Sequence, residues 1–269
     1  MGTATQKRNF LQEIRTEVKA RPTAAVLYGV PGIGKTSMAA NIPGVVFLTD
    51  PTEDGITTLK SFNRVPKSVA QLPPARSWED ALGMIDQLAT GEHSYRALAI
   101  DAMGGFERLC HEHVCRRDYR GEWGDKGFGS YQKGFDNAVT DWKQFIIALD
   151  RLRDERGMSI IWLAHSRVKN FKNPEGPDFD RYKPDVHEKT WEVTHKWAEM
   201  ILFLNYVTVV DKDGKAQGGQ ERVMFTVHHP AYDAKNRHGL PDTIDMGSTG
   251  AEAWKSLADA LRAAGKDGE

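Results

Sequence analysis

Short apolar runs alternate with amphipathic stretches along this chain. Ala24-Ala25-Val26-Leu27-Tyr28, Val45-Val46-Phe47-Leu48, Ala97-Leu98-Ala99-Ile100-Asp101 and Ser159-Ile160-Ile161-Trp162-Leu163-Ala164 are apolar almost throughout. Runs of that length and kind read as strands buried on both faces, as in a parallel sheet covered by helices. Between them the period changes to that of a helix. Ser77 caps a helix reaching to about Thr90, with Asp80 at the capping-box position. Phe106 to Arg117 reads as a second helix. Phe135 to Arg156 is a long third one, its stripe formed by Phe135, Val139, Trp142, Phe145, Ile146, Leu149 and Leu152. A short helix from Thr36 to Asn41 stops before Pro43, and Ser68 to Leu72 is a brief strand in an irregular, proline-containing stretch.

The last third has a different rhythm. A helix from Trp191 to Glu199 leads into a strand from Met200 to Val210. A turn at Asp211 to Gly219 and a strand from Arg222 to His229 complete an antiparallel hairpin. Ala251 to Ala264 is a final helix before a charged tail. At the other end, Phe10, Leu11, Ile14 and Val18 recur at helical spacing within residues 1–20. That short amphipathic helix packs on its own domain or docks on a neighbouring subunit. The division expected is therefore an N-terminal helix over 1–20, a core over 21–245, and a C-terminal helix and tail over 246–269.

Composition narrows the class. The chain has 269 residues, 40% hydrophobic and 27% charged, enough for one large α/β domain with a substantial core or for two small ones. No apolar run approaches membrane-spanning length and the first residues lack a signal-peptide core, so no membrane partner is expected. Two cysteines, Cys110 and Cys115, suit a reducing cytoplasm. With a formal net charge of −1, any nucleic-acid role must rest on local loops.

The chemistry is concentrated at strand ends. Gly29-Val30-Pro31-Gly32-Ile33-Gly34-Lys35-Thr36-Ser37 contains G-x-x-x-x-G-K-T between a strand and a helix, the context of a phosphate-binding loop. Its glycines let backbone N–H groups turn around an anion. Lys35 would reach the β- and γ-phosphates of ATP, and the Thr36 hydroxyl would ligate Mg2+. Asp101, ending an apolar strand, would hold Mg2+ through its water shell. After the second strand come Asp50, Glu53 and Asp54. Glu53 is the candidate for activating the attacking water, with Asp54 as alternative; the same acids could instead cap the next turn. His165, at the end of the Ser159–Ala164 strand, is a candidate sensor of the γ-phosphate. Cys110-His111-Glu112-His113-Val114-Cys115 invites a zinc reading, but no second ligand pair stands at a suitable spacing, and a plain helix is expected.

Two long connections remain. Arg116 to Gly134 interleaves bases such as Arg120 and Lys126 with Tyr119, Trp123, Phe128 and Tyr131, a composition suited to stacking on single-stranded nucleic acid or to a structural loop with its aromatics inward. Arg167 to Lys189, with Arg167, Lys169 and Lys172, reads as a long, nearly charge-balanced loop.

The order of these parts resembles a RecA-like P-loop NTPase, and most of all the compact RecA-like ATP-binding proteins of bacteriophages, which include single-strand-annealing recombination proteins. The segments carrying the resemblance are Gly29–Thr36, Thr52–Gly55, Ala97–Asp101, Leu163–Ser166, Trp197–Glu199 and Asp233–Pro241. The fold it implies is α/β, with a mostly parallel central sheet flanked by helices and an antiparallel C-terminal hairpin. It implies a cytoplasmic, phage-encoded, Mg2+-dependent ATPase acting in homologous recombination or strand annealing. Its partners would be single-stranded DNA, further copies of itself in a head-to-tail ring or filament, and a single-strand-binding protein. Both long connections would bind DNA, through Arg120, Trp123, Lys126, Phe128, Arg167, Lys169 and Lys172. Lys235 and Arg237 resemble the cation pair that reaches a neighbour's γ-phosphate. Two departures stand out: His165 replaces a glutamine, and a large accessory domain is missing. Competing readings are a replication helicase or helicase loader, a small-molecule kinase, and a regulatory nucleotide-binding module.

Overall fold

β1 (Ala24–Gly29) is buried along its whole length, so it must be covered on both faces and paired on both edges. It is paired in parallel with β5 (Ser159–Phe171) on one side and β7 (Met200–Val210) on the other. Beyond β5 lie β4 (Ala97–Asp101), β2 (Val45–Thr49) and the edge strand β3 (Ala70–Gln71), all parallel. Beyond β7 the sheet turns antiparallel, through β8 (Ala216–Phe225) and β9 (Thr243–Asp245). The computed structural model describes residues 21–53, 55–210 and 216–266, with Leu11, Ile14 and Thr16. The rest of the helix expected over 1–20, Asp54, residues 211–215 of the expected turn and the last three residues lie outside that set.

Side chains alternate across the sheet and build two cores. Val26, Tyr28, Ile160 and Trp162 face α3 (Trp78–Thr90), α4 (Met103–Tyr119), α5 (Lys133–Arg156) and α6 (Glu188–Trp197). There Trp142 packs on Trp162 at 4.9 Å and Trp78 on Phe145 at 4.8 Å between ring centroids. Each such ring is almost wholly removed from water, worth roughly 2–3 kcal/mol of transfer free energy. Ala25, Leu27, Ile161 and Leu163 face the other way, onto α1 (Lys35–Ala39), α2 (Gly55–Ser61) and α7 (Gly250–Lys266). Ala253 and Leu257 share that core with Ile33 and Met38, so the C-terminal helix completes the same domain.

The loop expected over Arg167 to Lys189 is instead largely a ribbon. β5 runs on past the sheet to Phe171, turns, and returns as β6 (Phe179–Pro184), with Arg167 opposite Lys183 and Phe171 opposite Phe179. The two phenyl rings meet at 5.1 Å and Arg181 lies over Phe171 at 5.5 Å. Cross-strand pairs of this kind hold a two-stranded ribbon that has no core of its own. β8 likewise begins earlier than expected and ends at Phe225, because its pairing with β7 continues outward past a register shift between Tyr206 and Thr208.

Candidate nucleotide site

The carboxyl ends of β1, β2, β4 and β5 converge on one cleft of about 350 Å³, lined among others by Gly32, Lys35, Thr36, Glu53, Asp101 and His165. Outside the carboxyl ends of strands is where an open α/β sheet places ligands. Gly32 and Gly34 have φ of 78° and 103°, a left-handed backbone that other residues adopt only under strain. The loop they shape delivers Lys35, whose Nζ donates to the carbonyls of Gly29 at 2.9 Å and Val30 at 3.1 Å. Burial pushes the Lys35 ammonium down to about 8, with Asp101 and Glu53 opposing the shift.

Thr36 Oγ1 donates to Asp101 Oδ2 at 2.7 Å, which joins the loop to the end of β4. Burial drives the Asp101 carboxyl up to about 6, against the Thr36 hydrogen bond. Beside it in register, Thr49 has a buried hydroxyl with no hydrogen-bond partner. A hydroxyl, a carboxylate and an ammonium lining the cleft beside a glycine loop fit a nucleoside triphosphate with Mg2+. Thr36 and Asp101 would hold the metal ion, and Lys35 the phosphates.

The acids after β2 divide their work. Asp50 is buried and organises the turn: its Oδ1 accepts from the Thr52 amide at 2.9 Å and its carbonyl accepts from the Glu53 amide at 3.2 Å. Glu53 is left facing the cleft, where its Oε1 lies 3.0 Å from His165 Nε2. Asp50 thus takes the capping role that the sequence leaves open among these acids, and Glu53 is the one that lines the cleft. Asp50, one of the acids that the sequence places beside the phosphates, is buried and does not line the cleft.

Other expected residues lie elsewhere. Lys235 and Arg237 do not line the cleft. Lys235 Nζ donates to the His195 carbonyl of its own chain, its main chain bridges Ile201, and burial lowers its ammonium pKa. Arg237 is exposed. The two cations therefore differ in environment, one tied within its own chain and the other exposed.

The candidate DNA loops are brought together: Phe135, just after the first, stacks on His187, just after the ribbon, at 4.2 Å and an interplanar angle of 4°. Arg120 and Lys126 are exposed, and Trp123 is half-exposed. Phe128 is not available for base stacking. It is 1% exposed, packed against Tyr119, Trp123, Phe135 and His111, and belongs to the core. In the ribbon Arg167 holds the Val186 carbonyl, Lys169 pairs with Glu188 at 2.5 Å and Lys172 with Asp178 at 2.6 Å. Cys110 and Cys115 are buried in α4, where their thiols donate to the carbonyls of Ala138 and Glu122. Among the described residues no helix is long and apolar enough to cross a membrane.

A family model described as an AAA domain matches residues 21–238, most of the chain and every residue lining the cleft. No curated protein is similar enough to match.

Proposed function

The chain belongs to the AAA domain family, and from that premise we propose that it is an Mg2+-dependent ATPase that couples turnover to binding of single-stranded DNA in phage-type recombination or strand annealing. Glu53 orients and deprotonates the attacking water, and Lys35 steadies the transferred phosphoryl group. Mg2+, when bound at Thr36 and Asp101, supplies charge neutralisation on the phosphates.

The observation that carries the DNA half is the position of His165. It touches Glu53 in the cleft, and the next residue, Ser166, begins the pairing of the β5–β6 ribbon that bears Arg167, Lys169 and Lys172. One continuous strand thus joins the water-activating acid to the candidate DNA contacts. Stacking by Trp123 and phosphate contacts from the ribbon suit a single strand. Assembly with further copies, and action beside a single-strand-binding protein, belong to the same reading.

A second reading, a helicase or helicase-loader ATPase acting through another protein, is favoured by one feature: Lys169 and Lys172 are already paired with carboxylates. Steady-state ATP turnover with and without single-stranded DNA separates the two, with electron microscopy of the same mixtures. The recombination reading expects several-fold stimulation and ordered assemblies. Unchanged turnover without assemblies would contradict it.

A further inference from the structure

We propose that Arg222, on β8, is a positioning residue for the phosphate loop, setting the direction of the Gly34 amide from outside the nucleotide cleft. The proposal rests on the nucleotide-binding reading and adds a residue that the motif does not contain. Arg222 Nη1 donates to the Ile33 carbonyl, in the middle of the loop, at 3.1 Å. Its Nε and Nη2 donate to the Gly247 carbonyl at 3.0 Å and 2.8 Å, and Nη2 also lies 3.3 Å from the Thr249 carbonyl. The guanidinium therefore holds three main-chain carbonyls, one in the phosphate loop and two in the turn that leads into α7.

The peptide unit joining Ile33 to Gly34 is planar and trans, so its carbonyl and its N–H point in opposite directions. With the carbonyl drawn outward to Arg222, the Gly34 N–H is aimed away from the guanidinium, toward the side on which Gly34 lines the cleft. A cation on the carbonyl also polarises the peptide and strengthens that N–H as a donor to phosphate. Gly34 must lack a side chain for this to work, because a Cβ there would stand 2.7 Å from Arg222 Nη1. The far end of the brace is fixed as well. Glu252 accepts from the amides of Ser248 and Thr249 at 2.6 Å and 3.0 Å, and a Cβ on Gly250 would strike the carbonyl of Ser37.

A residue that only fastened α7 would lose stability when replaced, in proportion to the packing lost. A residue that aims a phosphate donor loses nucleotide affinity beyond that. The test is calorimetric titration with ATP and with ADP of the wild type, Arg222→Ala, Arg222→Gln and Leu257→Ala, the last loosening the packing of α7 while removing none of the hydrogen bonds that Arg222 makes. Arg222→Ala is expected to bind both nucleotides at least ~10-fold more weakly, the scale of one hydrogen bond to a charged group. Leu257→Ala is expected to keep its affinity at an equal or larger drop in melting temperature. Millimolar guanidinium ion should return part of the lost affinity to Arg222→Ala and none to Leu257→Ala. Should the alanine variant not fold, Arg222→Gln serves, since its amide cannot hold the Ile33 and Gly247 carbonyls together; the same loss is expected. Wild-type affinity in the arginine variants, or a loss no greater than that of Leu257→Ala, overturns the role of Arg222 alone. A wild-type protein that binds neither nucleotide overturns the nucleotide reading and this proposal together.

Discussion

His165 Nε2 lies 3.0 Å from Glu53 Oε1, so the acid facing the cleft is held by the residue from which the ribbon springs. If this contact couples turnover to DNA, His165→Ala should lower the ratio of DNA-stimulated to basal turnover toward one, with ATP affinity little changed. Steady-state rates with and without single-stranded DNA measure it. A wild-type ratio in His165→Ala would leave the contact without a coupling role.

Asp101 links stability to pH. Its carboxyl is raised from 3.8 to about 6, chiefly by burial, so the folded state binds that proton more tightly than the unfolded chain does. The stabilisation from the bound proton is present below about pH 4 and is lost as pH rises through about 6. Asp101→Asn, neutral at every pH, should therefore raise the melting temperature of the ligand-free protein at pH 8, by up to about 2–3 kcal/mol in free energy, and little at pH 4. Thermal scans at the two pH values check the sign. The same variant should lose Mg2+-dependent nucleotide affinity, and wild-type affinity for Mg2+ should weaken as pH falls below about 6.

Trp123 and Phe128 should separate cleanly. Phe128→Ala removes a core ring and is expected to cost about 3–5 kcal/mol of stability. Trp123, 49% exposed, should give the opposite pattern: a modest stability change and about 1–3 kcal/mol of lost single-strand affinity. Denaturant melts and fluorescence titrations with an oligonucleotide measure the two effects. Unchanged DNA binding in Trp123→Ala would make the first loop structural.

Much of this was legible in the chain because the information is local. β1, β2, β4 and the first half of β5 are apolar runs buried on both faces, and the phosphate loop follows one of them. The second half of β5 was not, because Arg167 to Phe171 mixes polar and apolar residues outside the sheet and hides its partner strand. Its turn chemistry, Asn173-Pro174-Glu175-Gly176-Pro177-Asp178, was the available signal. Whether Phe128 faces in or out is decided by rings from α4 and α5, which composition cannot report. Arg222 was invisible for a simpler reason: its partner in the loop is a main-chain carbonyl 189 positions away, and every residue has one.

Arg237 offers a test of assembly. Lys235 is tied to a carbonyl of its own chain and Arg237 is exposed, so Arg237 is the cation to test for service to a neighbour in a head-to-tail contact. Mixing inactive Glu53→Gln with Arg237→Ala should restore activity if the cation acts in trans, since about a quarter of interfaces in an equal random mixture carry both intact halves. Silence in the mixture would place Arg237 outside the active site or within its own chain.

The central claim, that this cleft binds and hydrolyses ATP, is tested most directly by single-turnover hydrolysis measured beside equilibrium ATP binding in the presence of Mg2+. Wild-type protein should bind and hydrolyse. Lys35→Ala should lose binding while remaining folded, and Glu53→Gln should bind ATP yet hydrolyse it ~10²–10⁴-fold more slowly. Wild-type hydrolysis in Glu53→Gln, or undiminished binding in Lys35→Ala, would contradict the account.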